Sequence, residues 1–88
     1  MDLTRIREFI AINEQVHKVI DRVMASKEIP EYDKWRFIYD YVFSEHCSRK
    51  VYEIHSFDWC DPDMDYRDDV MAFVSAFDGE VIKLKTLL

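Results

Sequence analysis

Eighty-eight residues suit one domain, spanning 1–88, and the chain holds one glycine and two prolines. Together those are about 3% of the chain, where average usage is roughly 12%, which excludes collagen-like, linker-like and proline-rich classes, glycine-dependent phosphate loops and folds built on tight primed turns. The net charge of −6 argues against general DNA or RNA binding.

Residues 3–27 read as the clearest helix. Ile6, Phe9, Asn13, Val16, Ile20 and Val23 step by three and four, and Ile10, Val19 and Met24 widen the stripe. Asp2 or Thr4 can cap its start, and Glu14 and Lys18 make a favourable i,i+4 pair. A helix this long in so short a chain favours an oligomer that covers it. Lys27-Glu28-Ile29-Pro30 ends it, because the residue before a proline leaves the helical region. Pro30 then suits the first turn of the next element, with Asp33 a second possible cap.

Residues 32–57 have a double reading. Trp35, Ile38, Val42 and His46 fit a helix face, whereas Phe37, Tyr39, Tyr41 and Phe43 alternate as in a strand. No Gly, Asn or Pro lies between Trp35 and Phe57 to make a hairpin turn, so helix is favoured over a small hairpin at 35–57. Asp61-Pro62 is read as the start of the last helix, with Asp63 and Asp65 at its positive end. Its apolar face is Val70, Met71, Phe73, Val74 and Phe77, and Gly79 is read as its stop. Residues 80–88 form a terminal strand or a helical extension. The expected fold class is mainly α: a compact helical hairpin or bundle with a long N-terminal helix, assembled as an oligomer. The α+β form is the alternative.

Apolar residues make up 49% and aromatics 15% of the chain, enough for a core with a surplus for an interface or a ligand. No apolar run approaches the ~18 residues of a membrane span, and Met1 to Arg5 lacks a signal-peptide core. A cytoplasmic location without membrane contact is expected. Cys47 and Cys60 then make no disulfide framework.

Charge is uneven along the chain. Residues 1–30 are neutral overall, whereas residues 58–80 carry eight acids against Arg67 alone. Asp61-x-Asp63-x-Asp65 opens like a calcium loop, but Tyr66 and Ala72 stand where that loop needs Gly and Glu. His46, Cys47, His55 and Cys60 lack zinc-ligand spacing, and no oxyanion-forming motif stands near either cysteine. No metal, no cofactor and no enzymatic activity are expected. Asn13 on the apolar stripe either sets packing register or faces a site. Lys18 and Arg22 form a like-charge i,i+4 pair, balanced by Glu14 and Asp21 or by a bound phosphate.

Two segments together resemble the phage anti-CBASS cyclic-nucleotide sponges (anti-CBASS protein 2). Asn13-Glu14-Gln15-Val16-His17-Lys18 is similar to that family's Asn, Val and Lys on the N-terminal helix, with a two-residue difference in spacing. Asp65 followed by Val70-Met71-Ala72-Phe73-Val74-Ser75-Ala76 is similar to its C-terminal helix. The chain departs from the family pattern at Arg67, Asp68, Asp69 and Ser75, and has no counterpart to a tyrosine ahead of the first helix. The resemblance implies a homo-oligomer, a hexamer in that family, which sequesters cyclic di- or trinucleotides such as cyclic GMP-AMP without hydrolysing them. It implies Lys18 on a phosphate and an aromatic stacked on a base, with Asn13, Phe9, Arg22, Asp65, Arg67 and Met71 completing the ligand set. The alternative is a small acidic phage protein that binds and inhibits a host protein through its Asp-rich residues 58–80.

Overall fold

The computed structural model describes residues 2–88, and these fold into helices with no strand among them. α1 spans Leu3–Ala25, α2 Glu31–Val42, α3 Lys50–Ile54 and α4 Tyr66–Lys85. A single π-helical turn, Glu45–Arg49, leads into α3. The mainly α expectation holds, and the hairpin at 35–57 does not form.

The Asp2 carboxylate accepts the Arg5 N–H at 3.0 Å and so caps α1. Ile6, Phe9, Asn13 and Val16 are its buried stripe, as the spacing predicts. At ~1.5 Å per residue, its 23 residues run most of the molecule's 41 Å length. α2, α3 and α4 all pack on α1, whose buried residues lie between Ile6 and Val16, while residues 17–25 are half-buried or exposed. The helix stops two residues short of the expected end, where Ser26 turns extended and its Oγ accepts the Glu28 N–H.

Lys34 of α2 is buried, which composition gives no reason to expect. Its ammonium donates to the Met24 carbonyl at 2.8 Å and pairs with Glu31 at 2.9 Å. A cation thereby closes the negative end of α1. Ile38 and Val42 continue the buried face. The next expected member, His46, is exposed, and Cys47 is buried in its place. The cause is the break at Phe43–Ser44 followed by the wider π turn, which rotates the apolar stripe by one residue. Val51 and Ile54 of α3 then face inward.

The last helix starts later than Asp61-Pro62 suggests. Met64 takes a left-handed backbone, φ 77°, and the buried Asp69 carboxylate accepts the N–H groups of Asp63 (3.0 Å) and Met64 (2.9 Å). These bonds fix a turn ahead of the helix, so Asp65 becomes the N-cap residue. At the other end, Gly79 does not stop α4. Val81 and Leu84 extend the buried row of Val70, Phe73 and Phe77, and their burial outweighs the ~1 kcal/mol that a helix-interior glycine costs relative to alanine. The helix ends at Lys85, where the Thr86 hydroxyl donates to the Lys83 carbonyl at 2.6 Å.

Phe73 is the hub of the core. It meets Phe43, Tyr52, Phe57, Trp59 and Phe77 with ring centroids 5.0–6.4 Å apart, the spacing at which aromatic pairs attract beyond their area burial. Most of the aromatic surplus is therefore consumed inside. Tyr32 and Phe37 are the aromatics left well exposed.

Candidate functional site

After α3 the chain runs extended: His55 has φ −159° and ψ 121°. Through Cys60 the side chains alternate like those of a strand. His55, Phe57 and Trp59 are partly buried, whereas Ser56, Asp58 and Cys60 are exposed. Phe57 stacks on Phe77 at 5.8 Å and on Tyr52 at 5.6 Å, and Trp59 stacks on Phe43 at 5.1 Å. Aromatic contacts thus lay this segment alongside α4.

A cleft of about 510 Å³ lies between them, lined by Ser56, Phe57 and Asp58 on one side and by Ala76, Gly79 and Lys83 on the other. At its base the His55 ring and the Glu80 carboxylate meet at 2.7 Å. Lys83 approaches the other Glu80 oxygen at 3.7 Å. The hydrogen bond from His55, helped by the Lys83 charge, holds the Glu80 carboxyl below its ordinary range. Phe9 sets the far side of the imidazole, its ring edge-on to His55 at 5.7 Å. Gly79 is exposed on the cleft wall, and a Cβ added there would meet nothing within 4 Å.

Beyond the cleft the chain carries its acids outward. Asp58, Asp61, Asp63, Asp65 and Asp68 are all exposed, and only Asp69 turns inward to hold the turn. The contact with Asp68 and its charge raise the Asp65 carboxyl above the usual value. Asp63 accepts the Asp65 N–H at 3.0 Å, adding a third carboxylate to the group. Among the described residues, no three His, Cys, Asp or Glu side chains gather as a metal-holding group.

The ligand set implied by the sequence is dispersed. Phe9 is fully buried, its ring against Phe77 at 4.7 Å and Phe57 at 6.1 Å, so no face is left for a base. Asn13 is nearly buried and spends its amide on Asp78 at 2.7 Å. His17 meets the same Asp78 oxygen at 2.7 Å, so the three side chains fasten α1 to α4. Asn13 thus sets register. Lys18 and Arg22 are exposed, and among the described residues neither Glu14, Asp21 nor any other carboxylate pairs with them. Asp65, Arg67 and Met71 are exposed at the start of α4. Among the described residues no hydrogen bond or ion pair joins them to Lys18 or Arg22.

Sequence reasoning missed the His55–Glu80–Lys83 group. Its only signal was the spacing of Glu80 and Lys83 on one helix, and His55 arrives by tertiary packing. Compared with known proteins, the chain matches no family model, no curated protein and no solved structure.

Proposed function

We propose that this chain is a binding protein that docks its acidic face, residues 58–69, on a basic surface of a protein partner and inhibits that partner. One observation carries the reading: Asp58, Asp61, Asp63, Asp65 and Asp68 are all exposed along one short stretch, and Asp63 and Asp65 are tied together by a 3.0 Å bond. A loop anchored by Asp69, Phe57 and Trp59 holds them there against their repulsion. A cationic partner relieves that repulsion and is steered to it from a distance. The test is affinity capture of partners across a salt series, with the chain and its Asp63→Asn/Asp65→Asn/Asp68→Asn variant as baits. The reading expects a protein captured by the chain, released by salt and not retained by the variant. Equal retention by the variant, or no protein partner, refutes it. Asp69 is left intact because it holds the turn.

A second reading keeps the sequestration of cyclic oligonucleotides by a cytoplasmic homo-oligomer. It is supported by Lys18 and Arg22, one helical turn apart and both without a carboxylate partner among the described residues. A phosphate placed between them satisfies both cations. Phe9 and Asn13 belong to the core and take no part. Calorimetric titration with cyclic GMP-AMP and a cyclic trinucleotide tests it, with Lys18→Ala as control. No heat with either ligand sinks it, and light scattering showing a monomer removes any pocket between subunits.

A further inference from the structure

We infer that the cleft between residues 55–60 and α4 is a docking groove for an extended basic segment of a protein partner, which adds to the backbone of residues 56–60 as a strand. The segment already has strand character: an extended start at His55 and strict in–out alternation to Cys60. Among the described residues, no backbone N–H or C=O from Ser56 to Asp61 takes part in a hydrogen bond within the chain. One side of this edge is pinned to the core by Phe57 and Trp59. Such an edge is a template for another extended chain.

Gly79 supplies the second, independent observation. It is the only glycine in the chain. It lies inside a helix with no positive φ, and no neighbour would obstruct a Cβ. Neither backbone geometry nor packing within the chain calls for glycine here. What its missing side chain does is deepen the groove wall opposite Ser56, Phe57 and Asp58. Alternate side chains of an added strand would point over Gly79 and the remainder toward solvent.

Charge decides the occupant. A second copy pairing edge to edge would bring Asp58 and Asp61 close to the Asp58 and Asp61 of the other copy, and like charges across a strand pair are unfavourable. A basic segment instead meets Asp58 in the groove and then the exposed Asp61 and Asp63 beyond it. The other charged groups facing the groove are His55 and Glu80, which pair with one another, and Lys83, which lies 3.7 Å from the second Glu80 oxygen and is offset by that carboxylate. The sign of the partner's charge rests on the acidic-face reading above. The groove and its backbone edge do not.

The probe is a capped, fluorescein-labelled hexapeptide of alternating Lys and Val. Its controls are the same peptide N-methylated at alternate amides, in each of the two registers, and a Glu/Val counterpart. Binding to the full chain is followed by anisotropy, and amide shifts of Ser56 to Cys60 and Gly79 by nuclear magnetic resonance. The Lys peptide is expected to bind and to shift those amides, and the Glu peptide to do neither. N-methylation in the pairing register should weaken binding by about tenfold or more, the loss of one or two good hydrogen bonds, and Gly79→Leu should weaken it to a similar degree by filling the groove. Equal affinity for both methylated peptides, or no loss in a folded Gly79→Leu chain, overturns strand addition while leaving the acidic-face reading standing. No binding of any Lys peptide overturns both. The N-methyl comparison uses the unaltered chain, so it decides even where Gly79→Leu fails to fold.

Discussion

Replacing Gly79 with alanine should make the protein more stable. Glycine in a helix interior is less favourable than alanine by about 0.8–1.0 kcal/mol, because its backbone loses more freedom on folding. Two structural features can cancel that gain: a positive φ, which alanine resists, or a neighbour that a methyl group would strike. Gly79 has neither. It is also exposed, so the new methyl buries little and leaves no strain to relax. Nearly the whole helical gain should therefore appear, about 1 kcal/mol, or a rise in melting temperature of about 4–8 °C for a domain of this size. Urea and thermal unfolding followed by far-ultraviolet circular dichroism measure both. An unchanged or lowered midpoint would refute the reasoning, since it would mean that the glycine serves the fold itself.

Three further outcomes follow from groups in or near the core. The Tyr52 hydroxyl is buried without a partner, and burial with the nearby Asp61 pushes it up to about 12. Tyr52→Phe removes an unsatisfied polar atom and should stabilise the chain by about 1 kcal/mol in the same unfolding assay; destabilisation would expose a missing bond. Burial pushes the Cys47 thiol up to about 11, whereas Cys60 is exposed. An aromatic disulfide reagent should therefore titrate one thiol in the native chain and both in denaturant. Glu80 sits below its ordinary 4.5 in the folded chain, so its stabilising contribution is complete above that pH and is lost as pH falls through its lower folded value. Melting of Glu80→Gln against the parent across acid pH checks this, and identical slopes would refute it.

The fold was legible wherever one apolar stripe repeats without interruption. The three- and four-residue steps from Ile6 to Val16, and from Val70 to Phe77, are local signals with one solution. Errors arose where a local stop or start sign competed with burial further along. Gly79 looked like a helix end, yet Val81 and Leu84 still had a core to enter. Asp61-Pro62 looked like a cap, but Asp69 reaches back to the turn at Met64, which spacing alone does not reveal. The acidic character of residues 58–80 was visible as composition. The groove beside them was not, because it exists only once Phe57 and Trp59 seat an extended segment against α4. Phe9 and Asn13 stood on the apolar stripe from the outset, and the core claims both.

The buried Lys34 has a consequence for the order in which the chain assembles. Its bond to the Met24 carbonyl spans only ten residues, whereas Asn13 and Asp78 are separated by 65. Closing a short loop costs less entropy than closing a long one, and contacts of small sequence separation form early. The α1–α2 corner is thus expected to form early, and the docking of α4 through Asn13, His17 and Asp78 late. In kinetic terms the two fastenings should separate cleanly. Lys34→Met should chiefly slow refolding, and Asn13→Ala should chiefly hasten unfolding, when both are followed by stopped-flow in urea. The reverse pattern would place the nucleus at the α1–α4 crossing instead. Such an order would set the long first helix, closed at its end by Lys34, as a scaffold before the acidic face exists.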